Sequence, residues 1–120
     1  MMVKDNLIQR KSFEFSLMII VLYKDLVSRK EFVISKQLLR SGTSIGANIE
    51  EAIAGQSKKD FLHKMSVALK EARETKYWLA LLAESQIVKI DYSKYLDEIE
   101  SVLKILTKIV KTSSASIQNL

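Results

Sequence analysis

The sequence predicts an all-α protein, a four-helix bundle with antiparallel sequential helices, and three observations predict it. Proline is absent and glycine occurs only three times in 120 residues, so the chain has few places to turn. Apolar residues recur at helical spacing over four long segments. The breaks between those segments are short, and short links make sequential helices antiparallel neighbours. A chain of this length forms one domain, residues 1–120, with a core that needs no disulfide or metal staple.

The first helix is expected over residues 6–28, with Phe15, Met18, Ile19, Leu22 and Leu26 at helical spacing and a middle that is apolar nearly all round. Its run from Leu17 to Tyr23 is too short to cross a bilayer. Glu14 before it and Lys24-Asp25 after it argue against a secretory segment, so a buried helix of a cytoplasmic protein with no membrane partner is expected. The second helix is expected over 35–54, capped by Ser35 and stopped by Gly55. The third, over 58–85, opens with Ser57-Lys-Lys-Asp60, a variant of the capping box. Its core stripe is Phe61, Met65, Ala68, Ala72, Leu79 and Ala83. Asp91 caps a fourth helix over 91–112, faced by Tyr95, Ile99, Val102, Leu106, Ile109 and Val110, and residues 113–120 are expected to fray.

The stretch RSGTSIGANIEEA, residues 40–52, holds two of the three glycines and invites a phosphate-loop reading. A Walker loop needs Lys and Ser/Thr directly after its second glycine, and a dinucleotide loop needs a preceding strand; neither is present. At 100° per residue, Leu38, Gly42, Ile45, Ile49 and Ala52 fall on one apolar arc, so the glycines sit inside a helix. Each costs on the order of 1 kcal/mol relative to alanine, a cost explained by close approach of another helix.

Arg40, Ser44, Asn48 and Glu51 form a polar ridge opposite that arc, built from short polar side chains where a solvated face more often carries Lys and Glu. The third helix has a second stripe, Val67, Glu71, Glu74, Trp78 and Leu81, away from its core stripe. A helix with two partly apolar faces has two neighbours to satisfy. The expected subunit interface is therefore Arg40, Ser44, Asn48, Glu51, Glu71, Glu74 and Trp78, with Arg40 pairing with Glu71 or Glu74 across it and Trp78 as anchor. An ordinary solvated face is the alternative.

No enzymatic constellation assembles. There is no cysteine, so a thiolate metal site is excluded, and the single histidine, His63, lies off the core stripe. Di-metal bundles need Glu-x-x-His on two helices, which one histidine does not supply. No catalytic residue, metal or cofactor is expected.

The segments SKQLLRSGTSIGANIEEA and SKKDFLHKMSVALKEARETKYWLALL closely resemble the small four-helix bundle family first associated with intervening sequences in 23S ribosomal RNA genes. They are similar, more distantly, to the accessory proteins of diversity-generating retroelements. Gln37, Arg40, Ser44, Ile45, Asn48, Ile49 and Glu51, then Phe61, Ala68, Glu71 and Glu74, carry the resemblance. Many members have two alanines after the arginine and an Ala-Glu-Gly ending, where this chain has Ser41-Gly42 and Glu51-Ala52. The resemblance implies a homopentameric ring with a central passage and an association with nucleic acid.

Charge bears on that implication independently. Nineteen Lys and Arg against fourteen acids give +5, with pI near 9.4, and a symmetric oligomer multiplies the field. The basic residues cluster only at Arg10-Lys11, Arg29-Lys30 and Lys58-Lys59, the expected nucleic-acid contacts. Two functions follow: a basic oligomeric accessory protein that holds RNA or DNA for a nucleic-acid-processing partner, or a protein-interaction scaffold whose charge is incidental.

Overall fold

A computed structural model describes residues 3–118, with side chains from residue 7 onward. It consists of four helices, α1 (Val3–Ser28), α2 (Ile34–Ile53), α3 (Lys58–Ser85) and α4 (Ser93–Gln118). The described residues contain no strand. Helix α2 packs on α1 and α3, and α4 packs on α3 and α1, while α1 and α3 stand on one diagonal across the shared core. The bundle measures 51 × 22 × 22 Å, so its two ends are well separated surfaces.

The core is the set of apolar stripes that the periodicity marks. Phe15, Ile19, Leu22 and Leu26 of α1 meet Leu38, Ile45, Ile49 and Ala52 of α2, with Met65, Ala68, Ala72 and Leu79 of α3 and Tyr95, Ile99, Val102 and Leu106 of α4. Ile8, Leu69 and Leu82 are also buried. Phe61, Ala83, Ile109 and Val110 are only partly buried, because they lie toward the bundle's ends, where fewer helices surround them.

Five boundaries differ from the sequence reading: α2 ends at Ile53 rather than 54, α4 begins at Ser93 rather than Asp91, and three further differences say more about the chain. Helix α4 is continuous through Gln118 rather than ending at 112. Residues 119–120 of the expected frayed tail lie outside the described residues. Extension is reasonable physically: Thr112-Ser-Ser-Ala-Ser contains no breaker, and Ser113, Ser114 and Ile117 are half-buried. Helix α1 starts at Val3, three residues earlier than expected.

The cap of α2 is the third difference. Helix α2 begins at Ile34, and Val33 at its N-cap contributes no side-chain bond. The buried Glu31 carboxylate does the capping instead, accepting from the amides of Val33 (3.2 Å), Ile34 (3.1 Å) and Ser35 (2.6 Å). Ser35, the expected cap, donates its hydroxyl back to the Glu31 carbonyl at 2.7 Å. One carboxylate thus satisfies three amides at a helix start, where the dipole favours negative charge. Burial pushes its pKa up, but the three amide bonds and the Ser35 bond outweigh burial and hold it below the usual carboxylate range.

Glycine does not make the turns. Lys30 (φ 68°) and Gln86 (φ 49°) take the left-handed conformation after α1 and α3. The amide of Glu31 bonds the Leu26 carbonyl and that of Lys30 bonds the Val27 carbonyl, both at 2.9 Å, the paired bonds of a Schellman ending. Gly55 has no positive φ. Its need is close approach, since a Cβ there would stand 3.1 Å from the Ala52 carbonyl oxygen. At α3 the first half of the expected box forms, with Ser57 Oγ accepting from the Asp60 amide at 3.0 Å, a plain serine N-cap.

Candidate functional site

The polar ridge of α2 faces α3 of the same chain. Arg40 Nη1 donates to Glu71 Oε1 at 3.2 Å, and Nη2 pairs with Glu74. Trp78 Nε1 donates to the same Glu74 oxygen at 3.0 Å. The expected pairing of Arg40 across a subunit boundary is therefore corrected: both acids are intrachain partners, because α2 and α3 run antiparallel and bring Arg40 level with them. Glu74 is held below the usual carboxylate range, chiefly by the Trp78 bond, with burial opposing and Arg40 assisting. Arg40 is raised, chiefly by its bond to Glu74.

The rest of that expected interface is also engaged locally. Ser44 Oγ donates to the Arg40 carbonyl at 2.6 Å, and Asn48 Nδ2 donates to the Ser44 carbonyl at 2.8 Å. Glu51 pairs with Lys64 at 2.7 Å. Beneath the ridge, Thr75 Oγ1 donates to Ser41 Oγ at 2.9 Å, a buried bond between α2 and α3 that the sequence reading missed. Trp78 is half-buried and stacks edge-on with the exposed Tyr77, ring centroids 5.2 Å apart. Tyr77 and Leu81 are exposed on α3.

A larger exposed apolar stripe lies on α1, where Phe13 (64%), Leu17 (50%), Ile20 (40%) and Val21 (61%) recur at steps of four, three and one residues. The all-round hydrophobicity of α1 signals it in the sequence. Because α1 and α3 are diagonal, this stripe and the Tyr77–Leu81 patch occupy opposite corners of the bundle.

The six expected nucleic-acid contacts divide between the two ends. Lys58 and Lys59 lie at the end formed by the start of α3 and the finish of α2 and α4, while Arg10 and Lys11 sit about 10 Å along α1 from that end and Lys11 reaches Glu98 in the first turns of α4. Arg29 and Lys30 lie at the other end, about 28 Å from Arg10 along α1. Two of the six are occupied: Lys11 pairs with Glu98 at 2.9 Å, and Arg29 with Asp25 at 3.0 Å. Lys58 Nζ donates to Ser116 Oγ at 3.4 Å, tying α3 to the end of α4.

The structure brings forward a basic ridge that adjacency in sequence hides. Lys104, Lys108 and Lys111 are all exposed on α4, at spacings of four and three residues that place them on one face. From Ser101 to Leu120 the chain carries these three cations and no acid. Beside them opens a cleft of about 320 Å³ lined by Leu7, Phe61, Ile105, Lys108, Ile109, Thr112 and Ser113. A helical scan for cations, like the one used for apolar residues, finds this ridge; a search for adjacent basic pairs does not.

No grouping of His, Asp and Glu that would hold a metal ion occurs among the described residues. No described helix is long and apolar enough to cross a membrane. What the geometry offers is thus a four-helix bundle with apolar corners and a basic end. The chain belongs to the 23S rRNA-intervening sequence protein family, whose model matches residues 4–108. It is similar to a crystal structure, at 1.70 Å resolution, of a protein of unknown function from the S23 ribosomal protein family of Bacteroides thetaiotaomicron. The two are 50% identical with a TM-score of 0.86, over 91% of this chain and 99% of that one. No curated protein matches.

Proposed function

We propose that this protein is a non-enzymatic, homo-oligomeric accessory protein that holds RNA or DNA through phosphate contacts for a nucleic-acid-processing partner. The observation that carries the reading is the α4 ridge: three exposed lysines on one helix face, in a stretch without an acid. Phosphate contacts of this kind position a strand without reading its sequence. Lys58 and Lys59 lie at the same end and extend the positive surface. Arg29 and Lys30 belong to a separate one.

Oligomerisation is supported by the two apolar corners, Phe13-Leu17-Ile20-Val21 on α1 and Tyr77-Leu81 on α3. Patches on opposite corners fit head-to-tail contacts, which close into a ring when the rotation permits. The pentamer is the number that the family resemblance implies. The same α1 stripe favours a second reading, a protein-interaction scaffold, since exposed apolar stripes mark protein contacts.

Retention of mixed RNA on immobilised protein at low salt tests the primary reading. Retention lost in the Lys104→Gln, Lys108→Gln, Lys111→Gln variant supports it. Absence of retention by the unaltered protein sinks it, and a protein partner captured after nuclease treatment through the α1 stripe then favours the scaffold.

A further inference from the structure

The cleft beside the α4 ridge has a composition that phosphate binding alone does not explain. Its walls are the side chains of Leu7 from α1, Phe61 from α3 and Ile105 and Ile109 from α4. Its mouth carries hydroxyls, Thr112 and Ser113, and one cation, Lys108. Lys108 and Thr112 also line the shallow groove that runs along α4 past Lys104 and Lys111, so cleft and ridge are one continuous surface, which ends at Glu100, an acid whose charge is met by Lys76 of α3. Phe61 and Thr112 reappear in an adjoining depression with Lys58 and Ser116, which brings a further cation to its border.

An apolar, aromatic-edged recess bordered by lysines fits an occupant with an anionic backbone and a flat apolar face. Single-stranded nucleic acid has both, because its bases are free to leave the stack and every base presents a π-face. A duplex offers the same phosphates but keeps its base faces stacked inside. We propose that the ridge Lys104, Lys108 and Lys111 holds the phosphates of a single strand while the Phe61 cleft receives one unstacked base. This rests on the nucleic-acid reading above and adds to it a preference for single strands. The hydroxyls of Thr112 and Ser113 stand where a base edge or a ribose hydroxyl would meet them. Recognition through a base face gives little sequence preference, since stacking tolerates every base.

Anisotropy titrations with a labelled mixed-sequence 12-nucleotide RNA, the duplex of the same sequence, and inorganic polyphosphate as competitor test the inference. The expected result is that the single strand binds about tenfold more tightly than the duplex at equal salt. Phe61→Leu is expected to remove most of that difference while leaving duplex binding unchanged. Phe61 also packs on the core, so Thr112→Leu provides a second arm: at this exposed position a branched aliphatic side chain fills the cleft mouth without offering a new aromatic face, and the same selective loss is expected. Equal affinity for both forms overturns the inference while leaving phosphate binding standing. So does polyphosphate competing as well, per phosphate, as the RNA, or variants that weaken both forms alike. Binding of none of the three overturns this inference together with the nucleic-acid reading.

Discussion

Gly42 packs directly on Ile19: a Cβ at Gly42 would stand 2.9 Å from Ile19 Cγ2 and 3.0 Å from Cγ1. Ile19 is fully buried and its branched side chain is stiff, so it cannot swing aside cheaply. Gly46, one turn on, is different, because its nearest neighbours Ser12 O, Ser12 Oγ and Ser16 Oγ lie at 3.5 Å, ordinary contact. Gly46→Ala should therefore stabilise the protein by about 0.5–1 kcal/mol through helix propensity. Gly42→Leu should destabilise it by about 1–3 kcal/mol or more by overpacking. Urea denaturation of both variants checks the contrast; equal effects would refute the packing account.

Trp78 is the only tryptophan and bonds Glu74, so its fluorescence reports that carboxylate. Glu74 is held below its ordinary value of 4.5. A depressed carboxylate contributes stability that is present at neutral pH and lost as pH falls through the folded pKa. Emission should thus change in an acid step centred below 4.5, and Glu74→Gln should abolish the step. A step unchanged in that variant would place its origin elsewhere.

Glu31 obeys the same sign. Its lowered pKa means that the α2 cap is intact above the usual carboxylate range and weakens as acid protonates it. Glu31→Gln keeps the shape but loses the charge, and Glu31→Ala loses both. We expect Glu31→Ala to cost about 1–2 kcal/mol at pH 7, with the difference from the unaltered protein shrinking toward pH 3. Thermal unfolding across pH measures it, and a difference independent of pH would contradict the assignment.

The assembly prediction concerns α1. Replacing Leu17 and Val21 by glutamate, both at half-exposed or more open positions, should lower the solution mass seen by light scattering while helicity by circular dichroism is retained. An unchanged mass would exclude that stripe from the subunit contact.

The fold was legible because apolar periodicity is a direct record of burial: the arc of Leu38, Gly42, Ile45, Ile49 and Ala52 is the buried face of α2. Turn geometry was not. Lys30 and Gln86 adopt left-handed conformations that neither residue type favours, Lys30 within the paired Schellman bonds and Gln86 within a single bond from its amide to the Leu82 carbonyl. The α2 cap was hidden because Glu31 acts four residues ahead of Ser35, outside the usual capping pattern. The ridge containing Arg40 was legible as a contact surface, but whether its partner lay in the same chain depended on the register between α2 and α3. The α4 lysines were on the page as characters and invisible as a surface until their helical phase placed them together.

The salt dependence of RNA binding decides whether the α4 lysines hold phosphate. Each phosphate contact on a single strand contributes a slope of roughly −0.7 to log K against log salt. Steep salt dependence is expected for the unaltered protein, with a slope shallower by roughly 2 when Lys104, Lys108 and Lys111 become glutamine. Binding whose slope is unchanged by those three substitutions would contradict phosphate contact by these lysines.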